Sequence, residues 1–190
     1  MAYLLKEFLQ DTENIIRTYS SETEILRRIR PLIQDLLDTP GSVPVKAFTS
    51  RKDRFANNLI YMPKDKIFSI MGAVWLPGQA TPIHDHLTWA MIGMYDGEEK
   101  ESIYKRTDDG SKPKLAELEK VSERINKKGH ITILRKSGIH RIDNITDRPS
   151  LSIHLYGLDI GNTERHTYDA VTGEIGTFLS GYDNILQDID

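Results

Sequence analysis

The sequence predicts a mainly β fold, a small barrel with N-terminal α-helices packed on it. Three observations point there. From Ala47 onward, short apolar or alternating runs are separated by turn residues, the spacing of a sandwich or barrel. Residues 3–39 instead repeat their apolar side chains at helical intervals. Finally, His84 and His86 stand at i and i+2, and His140 follows on a later strand. Alternation across a pleated strand turns i and i+2 to one face, so three imidazoles can close a facial set around one metal ion.

The elements follow in order. Leu4, Leu5, Phe8 and Leu9, then Ile15 and Ile16, mark a first helix. Ser21 with Glu24 fits a capping box for a second helix, whose stripe is Ile25, Ile29, Ile33, Leu36 and Leu37 and which Pro40-Gly41 ends. Strands are expected over 58–62, 68–76, 90–95, 98–105, 130–134, 141–144 and 151–156. Turns are expected at Pro63-Lys64-Asp65, Pro77-Gly78, Asp96-Gly97, Asp109-Gly110 and Lys136-Ser137-Gly138. The charged stretch 108–128 reads as a solvated loop or hairpin linking two barrel halves. The tail, 169–190, is polar and folds back over the barrel through Tyr168, Phe178, Leu179 and Tyr182. With no repeat and no linker, the reading is one domain over 1–190, made of a helical extension (1–41), a barrel (42–168) and a tail (169–190).

Composition narrows the function. The hydrophobic fraction is 38%, the charged fraction 28% and the net charge −3, with both signs mixed along the chain. No basic stripe argues for nucleic acid. No apolar run approaches the roughly 18 residues of a membrane span. Lys6 and Glu7 interrupt the N-terminal apolar stretch, so it does not read as a signal peptide, and a cytoplasmic location is expected. There is no cysteine, so a metal site must use His, Asp or Glu.

Two sequence blocks frame the histidines. Five residues separate Gly78 from His84, and ten separate His86 from Gly97; the second block holds Gly129, His140 and Asn144. These blocks resemble the two motifs of the cupin superfamily, which implies a double-stranded β-helix, or jelly-roll barrel. The position usually held by a glutamate ligand is Ala90, and Arg135 and Ser137 stand where proline and glycine are usual. Three neutral imidazoles would leave a divalent ion its full charge and about three open positions, a site that attracts thiolate or carboxylate. Asp85 points away from its neighbours and reads as a structural hydrogen-bond partner. His130 and His166 read as ordinary surface or core residues.

Residues 150–157 alternate strictly. Leu151, Ile153 and Leu155 face one way; Ser152, His154 and Tyr156 face the other. The plain reading is a half-buried edge strand with a polar outer face. The alternative is a hydrogen-bonded row in which Ser152 fixes one imidazole nitrogen of His154 and the other holds the Tyr156 phenol. With His84-Asp85-His86 and Gly138-Ile139-His140-Arg141, this stretch resembles the cysteine dioxygenase family of thiol dioxygenases over roughly residues 55–182. The resemblance implies Fe(II) held by His84, His86 and His140, a small thiol and O2 as substrates, and a sulfinic acid product. Ser152, His154 and Tyr156 would form the family's outer-sphere catalytic row.

The chain departs from the mammalian type. The arginine that grips the substrate carboxylate there is Asn57 here, and the cysteine cross-linked to the active-site tyrosine is absent. The stretch 81–86 with Trp89 and Gly93 is closer to the bacterial 3-mercaptopropionate dioxygenase branch. In that branch an amide replaces the early arginine, and a later arginine, matching Arg165, takes the carboxylate. The expectation is therefore an Fe(II) thiol dioxygenase for 3-mercaptopropionate or cysteine, with Arg165 and Asn57 binding substrate, acting as a monomer or homodimer. Alternatives are another three-histidine cupin enzyme, cleaving diketones or using zinc to activate water, or a non-catalytic metal-binding sensor. A Ser-His-Asp hydrolase fits poorly, because no nucleophile-elbow glycines surround Ser152.

Overall fold

In a computed structural model, which describes residues 4–186, two helices precede twelve strands. The helices are α1 (Leu5–Thr18) and α2 (Glu22–Asp38). The strands are β1 (Ala56–Tyr61), β2 (Ser69–Trp75), β3 (Ile83–Asp85), β4 (Ala90–Asp96), β5 (Glu98–Arg106), β6 (Leu118–Lys127), β7 (Ile131–Leu134), β8 (Ile139–Asp143), β9 (Ser150–Tyr156), β10 (Arg165–Tyr168), β11 (Ile175–Phe178) and β12 (Asn184–Ile185). They form two six-stranded sheets, β12-β1-β2-β9-β4-β7 and β11-β10-β3-β8-β5-β6. All pairs are antiparallel except β1 with β12. This is the expected mainly β barrel with N-terminal helices. No helix among the described residues is long and apolar enough to cross a membrane.

The helices cover the outer face of the first sheet. Phe8, Ile29, Ile33 and Leu36 pack with Ile70, Met91, Ile153 and Leu155 in one buried cluster. Gly93 permits the approach, since a Cβ there would meet the Leu37 side chain at 2.8 Å. The expected capping box at α2 does not form. Ser21 is the N-cap without a side-chain bond, and Glu24 pairs instead with Arg27 and Arg28 at 2.8 and 2.6 Å. Two guanidinium groups hold that carboxylate more strongly than one backbone N–H does. Helix α2 also runs through Pro31, which the apolar stripe does not reveal. Tyr3, expected to be helical, lies outside the described residues.

Three other expectations sharpen or change. Of the loop or hairpin open to the charged stretch, the hairpin forms, with β6 paired to β5 along its length and most of its side chains exposed. Charges on such an edge strand deter pairing with other chains. Strand β9 is not an edge: it lies between β2 and β4 and is buried on both faces. The tail adds β11 and β12 to the two sheets, while Gln187 to Asp190 lie outside the described residues.

Asn144 ties the ends of β2 and β8 together. Its buried amide donates to the carbonyls of Trp75 and Arg148 at 2.9 and 2.8 Å and accepts from the Thr146 N–H and hydroxyl at 3.0 and 2.8 Å. Asn144→Ala strands these groups without partners. It should lower stability by about 2–3 kcal/mol, read as a lower denaturant midpoint at unchanged m-value.

Candidate metal centre

Strand pairing brings the histidines together. His84 on β3 lies directly across from His140 on β8, and directly opposed residues share a face. His86, two residues on, joins them just past the strand end. Their candidate ligand atoms all lie within 4.8 Å of one another, and all three side chains are buried. The chain turns immediately afterwards at Leu87, whose φ of +57° is unusual for a side-chain-bearing residue. Such a conformation costs about 1–2 kcal/mol and persists only where its surroundings impose it.

Neighbours orient the rings. His84 Nδ1 is 3.0 Å from the Pro82 carbonyl oxygen, an acceptor, so Nδ1 carries the proton and Nε2 keeps its lone pair. His140 Nδ1 is 2.8 Å from Glu101 Oε1, with the same result. Glu101 is fully buried, and burial alone would raise its pKa. Hydrogen bonds from His140, Asn126 and Arg124 outweigh that and hold it well below the usual carboxylate range. His86 Nδ1 is buried without a partner. Burial, and then the neighbouring imidazoles, push His84 and His86 well below the ordinary histidine range, so both present neutral nitrogen. Three buried imidazoles with converging lone pairs fit a divalent transition metal such as Fe, Zn, Ni or Cu.

The second row also forms. Ser152 Oγ is 2.9 Å from His154 Nε2, and His154 Nδ1 is 2.8 Å from the Tyr156 hydroxyl. All three are buried, and Trp75 stacks on His154 with ring centroids 5.7 Å apart. Burial lowers His154 to about 3 and raises Tyr156 above the usual phenol range. The Tyr156 ring sits 5.1 Å from that of His86, so the row ends at the histidine cluster.

A cavity of about 470 Å³, counting its mouth, opens beside both groups and is also lined by Asn57, Arg165 and Ser180. Arg165 is 4% exposed yet has no carboxylate partner among the described residues. Its Nη2 donates to Ser180 Oγ at 2.7 Å, its guanidinium lies 4.5 Å over the Phe178 ring, and its Nε has no partner. Burial lowers its pKa, while Tyr156 and Asp85 oppose that shift. The Asn57 backbone N–H donates to Asp183 at 2.9 Å, and the residue lines the cavity.

With this geometry in view, comparison with known proteins is decisive at the level of family. The sequence model for cysteine dioxygenase type I matches residues 51–168. The chain belongs to the cysteine dioxygenase type I family. That membership makes it a dioxygenase by family, with a three-histidine site suited to a metal. Solved structures are similar over part of the chain at low identity. One is a conserved protein with a double-stranded β-helix domain from Klebsiella pneumoniae (13% identity, 69% of this chain and 90% of that one, TM-score 0.44). Another is the Cnp3 cupin domain of Schizosaccharomyces pombe (10% identity, 58% and 65%, TM-score 0.45). A third is a recombinant oxalate oxidase in complex with glycolate (22% identity, 48% and 42%, TM-score 0.38), of whose length this chain spans less than half.

Other residues of this cysteine dioxygenase family member separate cleanly. Asp85 is a hydrogen-bond partner, accepting from the His166 N–H at 2.9 Å and from His166 Nδ1 and the Tyr168 hydroxyl at 2.8 Å each. His166 is thereby held outside the cluster, and His130 is remote from it. The sequence reading missed Glu99, Glu101, Ser180 and Phe178. The two glutamates sit in Glu98-Glu99-Lys100-Glu101, which looks like a solvated charge run; only the every-second-residue spacing within a strand hinted that both face inward.

His86→Ala should reduce bound divalent metal to under about a tenth of wild type by elemental analysis. Glu101→Gln, which keeps shape but loses the charge on His140, should weaken metal binding about 10- to 100-fold. Unchanged metal content in both variants would place the metal elsewhere.

Proposed function

We propose that this chain is an Fe(II)-dependent thiol dioxygenase of the 3-mercaptopropionate branch, acting on a small mercapto-carboxylic acid. His84, His86 and His140 would hold the iron. When bound, iron supplies the redox chemistry that joins a thiol sulfur to both atoms of O2, giving a sulfinic acid. One cupin unit over the whole chain carries the site in this reading.

The observation that carries the substrate class is Arg165. A buried guanidinium without a carboxylate partner costs several kcal/mol unless an anion completes it. Its free Nε suits a substrate carboxylate, and charge-assisted hydrogen bonds of this kind are strong. Ser180 and Phe178 hold the guanidinium in place from either side, which fixes the carboxylate relative to the histidines. Tyr156 adds a hydrogen bond from the other wall, and Asn57 offers a neutral amide in place of a second cation. No Asp or Glu lines the cavity among the described residues, so nothing there pairs with an α-ammonium group. This favours 3-mercaptopropionate over cysteine. Tight walls orient the substrate before reaction, which is the protein's share of catalysis.

The test is oxygen uptake by anaerobically iron-loaded protein with 3-mercaptopropionate, cysteine and cysteamine in parallel. Uptake should favour 3-mercaptopropionate and yield a sulfinate. A preference for cysteine would keep the family chemistry and refute the branch; no uptake with any thiol despite bound iron would refute the reaction. Arg165→Ala should raise KM for 3-mercaptopropionate about a hundredfold, the loss of a buried charged hydrogen bond, with little change for cysteamine. Equal effects on both thiols would remove the proposed role of Arg165.

A further inference from the structure

The Ser152-His154-Tyr156 row does not stop at Ser152. Glu99 of β5 faces Ser152 of β9 across the barrel, and the serine hydroxyl donates to Glu99 Oε1 at 3.3 Å. Both residues are buried, at 1% and 0% exposure. Four groups thus form one chain of hydrogen bonds from the interior to the cavity wall, Glu99, Ser152, His154, Tyr156.

Glu99 differs from Glu101, two residues along the same strand. Glu101 receives Arg124, Asn126, Thr132 and His140 and is held as an anion. Glu99 has no Lys or Arg partner among the described residues. The groups facing it are Ser152 and Ser150 from β9, Asn126 opposite it on β6, and Glu101 on its own strand; the Ser150 hydroxyl lies close without a well-formed bond. A buried carboxyl with no cation beside it is a proton acceptor that nothing else in the fold uses.

We propose that Glu99 is the terminal proton acceptor of the row, receiving through Tyr156, His154 and Ser152 the proton that a substrate thiol loses in the cavity. The inference rests on the thiol dioxygenase reading and adds the destination of that proton. With Glu99 ionised, Ser152 donates to Glu99, His154 Nε2–H donates to Ser152 Oγ, and Tyr156 O–H donates to His154 Nδ1. The phenol oxygen then shows only lone pairs to the cavity. A thiol S–H directed at it gives up its proton as the phenol proton crosses to Nδ1, the Nε2 proton to Oγ and the Oγ proton to Glu99. Four bonds to hydrogen break and four form, and no electron is transferred. The products are a thiolate in the cavity and a neutral carboxylic acid at Glu99. The row is left reversed, with the phenol O–H now pointing at the bound anion as a donor. Glu99 is a positioning residue in this scheme, since it touches no substrate and acts only through the row.

Burial, with a smaller contribution from Glu101, holds Glu99 up at about 7, so it can accept and return a proton near neutrality. Because its folded value lies above its ordinary one, ionising it weakens the fold. Relative to Glu99→Gln, wild type should therefore lose stability as pH rises from about 4.5 to about 7, and run parallel to the variant above that.

Three measurements test the proposal. Difference infrared spectra of zinc-loaded wild type should show a protonated carboxylic acid band that disappears as pH rises through about 7, and Glu99→Gln should lack it. On binding 3-mercaptopropionate to zinc-loaded protein in weak buffer at about pH 8, above the Glu99 range, Glu99→Gln should release about one more proton per bound thiol than wild type. In the iron-loaded enzyme, the acid limb of kcat/KM should vanish in Glu99→Gln, with the plateau lowered at least about tenfold. A wild type with no such band overturns the proposal without need of any variant, and so does equal proton release by the two proteins. The proton count needs binding and no turnover. Absence of oxygen uptake beside the expected proton count would therefore strike the dioxygenase reading alone.

Discussion

The cross-strand pair of His84 and His140, with His86 two residues on, brings three imidazoles into one buried space, and much of the barrel serves that convergence. A dry interior makes an unsatisfied ring nitrogen costly, and two of the three rings are locked from behind. Pro82 does this for His84 through a backbone carbonyl. Glu101 does it for His140, and is itself stabilised by Arg124, Asn126 and Thr132. The chain turns at Leu87, directly after His86 and just past the end of β3. Asp85, on the opposite face of the same strand, fastens β10 through His166 and Tyr168. Since β10 begins at Arg165, the clamp that sets the histidines also sets the cavity's cation.

Strand β9 shows how one element serves packing and chemistry together. Ile153 and Leu155 pack into the layer under α1 and α2, while Ser152, His154 and Tyr156 form the inner row. The helices convert what would be a half-exposed sheet into a fully buried one. On the inner face, burial inside the barrel depresses His154 and raises Tyr156, so both stay neutral near physiological pH and a shared proton can sit on either side of each bond. Exposed to water, the same residues would make weaker and less ordered hydrogen bonds.

How far the sequence was legible follows from how local each signal is. The helices, the strands and the alternation of β9 rest on short-range periodicity and they form, although the polar side of β9 turns inward instead of out; the meeting of His140 with His84 and His86 rested on the spacing of two separate motifs. The hairpin partner β6 was hidden because an exposed edge strand needs no apolar alternation. The capping box at Ser21 failed because Arg27 and Arg28 compete for Glu24, a competition that motif spacing does not encode. Glu99 and Glu101 were unreadable for a deeper reason. Their roles depend on which groups lie across the barrel, and partners on other strands, Arg124 and His140 for Glu101 and Ser152 for Glu99, decide that one is paired with a cation and the other is not. Arg165 and Asn57 came from family resemblance, and both line the cavity.

Two buried groups of opposite character are then left incomplete by the protein alone. Among the described residues, Arg165 is a cation without an anionic partner and Glu99 a carboxyl without a cationic one. They cannot compensate each other directly, because the imidazole and phenol of the Ser-His-Tyr row lie between them. Each missing partner is worth several kcal/mol in a low-dielectric interior. A small thiol acid carries both complements in one molecule: a carboxylate for the guanidinium and an ionisable S–H whose proton neutralises the carboxyl. An amino-thiol without a carboxylate completes only one of them, and a simple carboxylate only the other. Under the proposed function, selectivity would arise less from the shape of the cavity than from the requirement that one ligand settle two buried charges at once, and the row between them would couple those two events.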